Sequence, residues 1–256
     1  MLRSSLHPAG WLCRPRLPRQ TFSRLSTRTD TLPTSWQRLL ALTGVAFAVL
    51  FVLAWFLSGG NTPDYTAADQ DWTTWADDNQ WKSRIGGFLI LLAGFVFLHF
   101  AATIRRVLGS AEATVGGSVQ LARVAFAGAL TGITGITMAI VMIAAAATEG
   151  ADADPVVSRA VTTAAAGPYF VAAMGFAVML AAAGLLTLRT RVFARWIGIV
   201  ALVGAISFLI TFLALIQGTS EDSVFGYGFL PGILALTIWS IATSLAAYSA
   251  VATTPR

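Results

Sequence analysis

Long apolar runs alternate with short polar ones along this chain. No Asp, Glu, Lys or Arg occurs in residues 39–63, 85–104, 124–148, 160–188, 196–220 or 223–255. A helix rises about 1.5 Å per residue and the bilayer hydrocarbon is about 30 Å thick, so about 20 apolar residues cross it. The pattern therefore predicts an all-α membrane protein, a bundle of six transmembrane helices. Their cores are expected near 39–58, 85–104, 124–147, 169–187, 196–216 and 229–250. The runs are continuous and rich in Ala, Leu and Gly. They lack the period-two alternation of an outer-membrane barrel.

Composition agrees. The chain is 56% hydrophobic and 11% charged, with a mean hydropathy of +0.71. A soluble domain carries about 25% charged residues. The net charge of +5 would fit a nucleic-acid partner, but the positions of the charges argue against one and for a lipid bilayer. Residues 1–38, 105–123, 189–195 and 256 hold fourteen arginines against Asp30 and Glu112. The intervening segments hold Lys82, Arg84 and Arg159 against ten acids. Basic loops stay in the cytoplasm, so both termini are expected there. The domain reading is a basic cytoplasmic tail (1–37), a six-helix domain (38–251) and a cytoplasmic C-terminal end (252–256).

The tail has the Arg- and Ser-rich, acid-poor composition of an organellar transit peptide. It lacks a secretory apolar core, and Pro8, Pro15 and Pro18 break any long helix. A lipid-attracted basic tail and a start codon placed too far upstream are the competing readings. Heavy use of Ala, Gly and Arg with one Lys favours a bacterial plasma membrane. The lone Cys13 cannot form an internal disulfide.

The first outer loop concentrates candidate chemistry in DQDWTTWADDNQWKSR, residues 69–84. Tryptophan favours the membrane–water boundary, so Trp72, Trp75 and Trp81 are expected as interfacial anchors. Thr66 followed by Asp69 suggests a capping box and a short outer helix before the second span. Trp72 and Trp75 would share its face, and Trp81 would begin span two. Asp77 and Asp78, with Asp64, Asp69 and Asp71, raise a Ca²⁺ site, a stacked sugar or lipid headgroup, or a docked partner as alternatives. The loop has no EF-hand spacing. Asp154–Pro155 predicts a second short outer helix, 155–166, with Gly167–Pro168 bending into span four. Gly226, Gly228, Pro231 and Gly232 are expected to loosen the entry to span six.

Inside the spans the chemistry is sparse. No span core carries Asp, Glu, Lys or Arg, the groups that ion-coupled transporters place near the midplane. His99 is the one side chain within a span of a type that titrates near neutral pH. A neutral imidazole bonded to a neighbouring helix is favoured there over a proton or ligand contact. The other histidine, His7, lies in the tail, so a bis-histidine haem is excluded. HExxH, GxSxG, Walker A, GxGxxG and CxxC motifs are absent. No catalytic, cofactor or metal residue is assigned, and no enzymatic activity is expected. In span three Gly128, Gly132 and Gly135 predict close helix packing. Thr131, Thr134 and Thr137, with Ser207, Thr211, Thr237, Ser240, Thr243 and Ser244, either line a polar path or bond their own helices.

The segments GGFLILLAGFVFLHF, IRRVLGSAE and LRTRVFARWIG resemble those of a family of uncharacterised six-span bacterial membrane proteins of the actinobacterial type, over residues 36–250. The resemblance implies the six-span fold and no assigned activity. Two function classes follow. One is a non-enzymatic structural, sensory or partner-binding bundle, a homo-oligomer or membrane partner included. The other is a permease or exporter for a neutral or lipid-like solute, which would need a hydroxyl-lined cavity between spans three, five and six.

Overall fold

Apolar runs that form helices hydrogen-bond their own backbone, as a lipid environment requires. Accordingly, every element among the described residues is helical. The computed structural model describes residues 39–58, 62–64, 66–116, 119–148, 150–152, 154–213 and 224–253. The expectations for tail residues 1–37, Cys13 included, lie outside them. The helices are α1 (Thr43–Ser58), α2 (Asp69–Thr114), α3 (Gln120–Ala146), α4 (Pro155–Ala164), α5 (Ala166–Thr190), α6 (Arg195–Thr211) and α7 (Val224–Thr253), with a 3₁₀ turn at Gly150–Asp152.

Five segments are long and apolar enough to cross a membrane: Leu39–Ser58, Asp69–Thr114, Gln120–Ala146, Pro155–Thr190 and Gly228–Ser249. The apolar α6, with 17 residues, is shorter. It packs between α5 and α7. In α2 the stretch between Arg84 and Arg105 is free of charge. It measures about 32 Å, close to one hydrocarbon thickness.

The long helices close a ring in the order α1, α2, α3, α5, α6, α7 and back to α1. Neighbours run antiparallel. Gly44 meets Phe100 while Gly86 meets Ser58, and Gly94 meets Thr137 while Gly109 meets Val119. The basic turns therefore gather at one end and the acidic ones at the other. Exposed tryptophans mark both ends, Trp81 at the acidic end and Trp196 at the basic end.

The tightest helix contact is α3 on α5. A Cβ on Gly128 would lie 2.6 Å from Met179 N, and one on Gly135 would lie 2.6 Å from Ala172 N. One on Gly132 would lie 2.5 Å from the Phe176 ring. The predicted glycines thus pack, and Gly175 of α5 answers them from the other side.

Aromatic rings fill the axis. A chain of ring contacts runs Trp55–Phe229–Phe208–Phe176–Phe97–Phe100–Trp239, with centroids 5.7–6.1 Å apart. Phe47 adds the closest pair, 4.5 Å from Phe97. Such spacings suit tilted and edge-on ring packing.

Several local expectations are corrected. No separate outer helix precedes span two, because α2 is continuous from Asp69 to Thr114. Its cap is not Thr66–Asp69. Asp71 accepts from the Ala68 N–H at 3.2 Å, and Asp69 and Asp71 place negative charge at the helix N-terminus. The second short helix does form, as α4. Asp154 caps it, accepting from Val156 N at 2.8 Å and Val157 N at 3.2 Å, with Pro155 at the first position. The break into α5 falls at Ala165, and Gly167 and Pro168 belong to the first turn of α5. Gly228, Pro231 and Gly232 lie within α7. A Cβ on Gly228 would lie 2.7 Å from Thr211 N, so this glycine tightens the α6–α7 contact instead of loosening an entry.

Candidate functional site

The candidate loop becomes about the first four turns of α2, where it meets α4 and the 147–152 turn. Arg159 of α4 pairs with Asp69 and donates a second bond to Ala67 O at 3.0 Å. Ser158 donates to Ala146 O at 3.0 Å, tying α4 to the end of α3. Gln80 donates to Thr148 O at 2.9 Å, and Arg84 donates to the same carbonyl. Gly150 adopts a left-handed φ of 59°, which glycine tolerates without strain. A Cβ there would lie 2.8 Å from Gln80 Nε2 and 3.5 Å from Asp77 Oδ1.

Trp72 and Trp75 do not sit at a lipid boundary. Trp72 is 0% exposed and Trp75 8%, and their rings meet edge-on at 6.0 Å. The reason is tertiary. The face they share, three residues apart, is the one that packs into the bundle core. Trp81, at 69% exposure, faces outward. The same region leaves Trp72 Nε1, Arg159 Nε and Thr162 Oγ1 buried without hydrogen-bond partners among the described residues.

Asp77 and Asp78 are exposed. No group of three His, Cys, Asp or Glu residues that would hold a metal ion occurs among the described residues. His99 lies on the outward face of α2, apart from this end. Its Nδ1 is 3.0 Å from Phe95 O, and its ring is 4.9 Å from the Phe95 ring. A carbonyl only accepts, so Nδ1 is the donor. The bond is therefore to its own helix, where a neighbouring helix was expected.

The hydroxyls of the spans mostly bond backwards. Thr131, Ser207, Thr211, Thr237, Ser240 and Thr243 donate to carbonyls three or four residues earlier. Thr137 and Ser244 have buried oxygens without partners among the described residues. Thr137 lines a groove of about 420 Å³ on the outer seam of α2 and α3, with Leu91, Gly94, Leu98, Ile133 and Met138. Among the described residues α3 makes no extensive contact with α6 or α7, the other two spans between which a cavity was expected.

One residue escaped the sequence reading. Glu112 is 5% exposed. Its Oε1 accepts from Leu121 N at 3.2 Å and its Oε2 from Ala122 N at 3.0 Å. It caps the start of α3 from the end of α2, satisfying two orphan donors at the positive end of a helix. Val119, just before that start, holds a left-handed φ of 57°, a strained state for a β-branched residue. The only sequence signal was an isolated acid in an arginine-rich turn.

Comparison with protein-family models, characterised proteins and solved structures finds no match to this chain.

Proposed function

We propose that the chain is a six-span protein of a bacterial plasma membrane, both termini cytoplasmic, acting as a non-enzymatic structural, sensory or partner-binding bundle. The ring-filled axis carries this reading. Phe176 packs against Phe97 on one side and Phe208 on the other, where a permease for a neutral or lipid-like solute would need an opening. The back-bonded hydroxyls add to it, since their polarity is spent within single helices. For α6, 17 residues give about 26 Å of rise. That is short of a full hydrocarbon thickness, but antiparallel packing between α5 and α7 supports a sixth crossing. The arginine bias supports the orientation.

A reporter series tests this topology. A phosphatase fused after Gly218 should be active outside, and one fused after Ala250 should be silent. Activity after Ala250 would refute six spans with an inner C-terminus. Proteoliposomes carrying the protein should admit neutral solutes no faster than protein-free vesicles. Faster entry would restore the permease reading.

A further inference from the structure

Six arginines gather at the basic end: Arg105, Arg106, Arg123, Arg189, Arg191 and Arg195. None has an acid within salt-bridge distance among the described residues. Glu112, the acid of that end among the described residues, is buried with both carboxylate oxygens held by backbone N–H groups. It is not free to neutralise them.

Helix register sorts the six into two tiers. Arg105 lies over the Phe126 ring, 5.0 Å from its centroid, and both line a small crevice with Ala183. Arg106 and Arg123 share that level through the antiparallel pairing of α2 and α3. Arg189 lies six residues beyond Ala183 on α5, roughly 9 Å further out. The deeper tier ends the charge-free stretch of α2 that begins after Arg84. This stretch matches one hydrocarbon thickness, so the deeper tier stands at the depth of lipid phosphates.

The same tier heads a path into the membrane. Arg105, Leu98 and Leu91 recur every seven residues, which puts them on one face of α2. All three are exposed, and the two leucines line the 420 Å³ groove on the α2–α3 seam. Phe126, beneath Arg105, and Ile133, in the groove, are likewise seven apart on α3. Leu98 lies about 10 Å below Arg105, within the reach of an acyl chain in a leaflet about 15 Å deep.

We propose that this seam binds one anionic phospholipid of the phosphatidylglycerol class. Arg105, held over Phe126, takes the phosphate with Arg106 and Arg123, and an acyl chain occupies the groove. Guanidinium suits this task because its planar fork matches phosphate oxygens. Each basic group at a membrane surface contributes enough to anionic-lipid attraction that removing three raises the lipid's dissociation constant by about 100-fold. The outer tier, about one Debye length away, should matter less than about fivefold.

The proposal rests on the membrane embedding proposed above. Full-length protein in neutral detergent is titrated with phosphatidylglycerol, phosphatidylcholine or inorganic phosphate, and melting temperature and lipid retention in native mass spectrometry are read. Phosphatidylglycerol alone should raise the melting temperature and remain bound. A triple Arg105→Gln, Arg106→Gln, Arg123→Gln variant should lose both effects, and the triple Lys variant should recover part of them. A triple Arg189→Gln, Arg191→Gln, Arg195→Gln variant should keep most of both, as residues 1–38 are common to all. Leu98→Trp, which fills the groove and leaves the charges, should lower retention. Equal loss in the two Gln variants, an equal response to free phosphate, or undiminished retention in Leu98→Trp would overturn the site. Carbonate extraction of the same cells separates the two readings. A chain that resists extraction but shows no lipid preference refutes the site and leaves the bundle standing.

Discussion

Replacing Gly175 by alanine puts a methyl group where α3 and α5 touch backbone to backbone. The new Cβ would lie 2.7 Å from Gly132 Cα and 2.8 Å from Gly128 O. Ordinary contact needs about 3.5–4 Å between carbons, so the helices must part by about 1 Å. No flexible side chain can absorb the shift, because the atoms met are main chain. Overpacking of this kind costs about 1–3 kcal/mol, and rigid neighbours argue for the upper end. Alanine returns up to about 1 kcal/mol through its better helix propensity. The expected net loss is about 2 kcal/mol. Gly167→Ala is the internal control, since the same helix leaves open space within 4 Å of that position. It should be neutral or more stable by up to about 1 kcal/mol. Unfolding in mixed micelles by sodium dodecyl sulfate titration reads both. A Gly175→Ala variant as stable as Gly167→Ala would refute backbone contact as the basis of this interface.

Glu112→Ala strips a buried N–H (Ala122) and a half-buried one (Leu121) of their acceptor and should cost about 1–3 kcal/mol, read as a lowered melting temperature. Glu112→Gln, with one acceptor oxygen left, should fall between it and the unmodified protein, and an unchanged Ala variant would dismiss the cap. Trp72→Ala should cost about 3–5 kcal/mol as a core deletion, whereas Trp81→Ala should stay within about 0.5 kcal/mol. The same detergent titration checks the order, and equal effects would return both residues to the lipid boundary.

The sequence by itself determined the helical class, the apolar segments and the two oppositely charged ends. These follow from single-chain physics: a helix in lipid must satisfy its own backbone and hide charge, and both demands are met residue by residue along the chain. Gly128, Gly132 and Gly135 were legible as a packing stripe for the same reason, since small residues at helical spacing imply a close neighbour. Which neighbour was not legible. Gly175 on α5 emerges only from the pairing of two distant helices. Tertiary structure also decided the fate of the tryptophans. Residues 72, 75 and 81 have the same chemistry, and only the placement of α2 against α4 and the bundle core separates the buried pair from the exposed one. Glu112 is the sharpest case. Its role depends on a donor pair nine and ten residues away, brought to it by the turn of an antiparallel hairpin. No periodicity encodes such a contact. Packing between elements draws its partners from across the chain, and local pattern says which face will be covered but not by what.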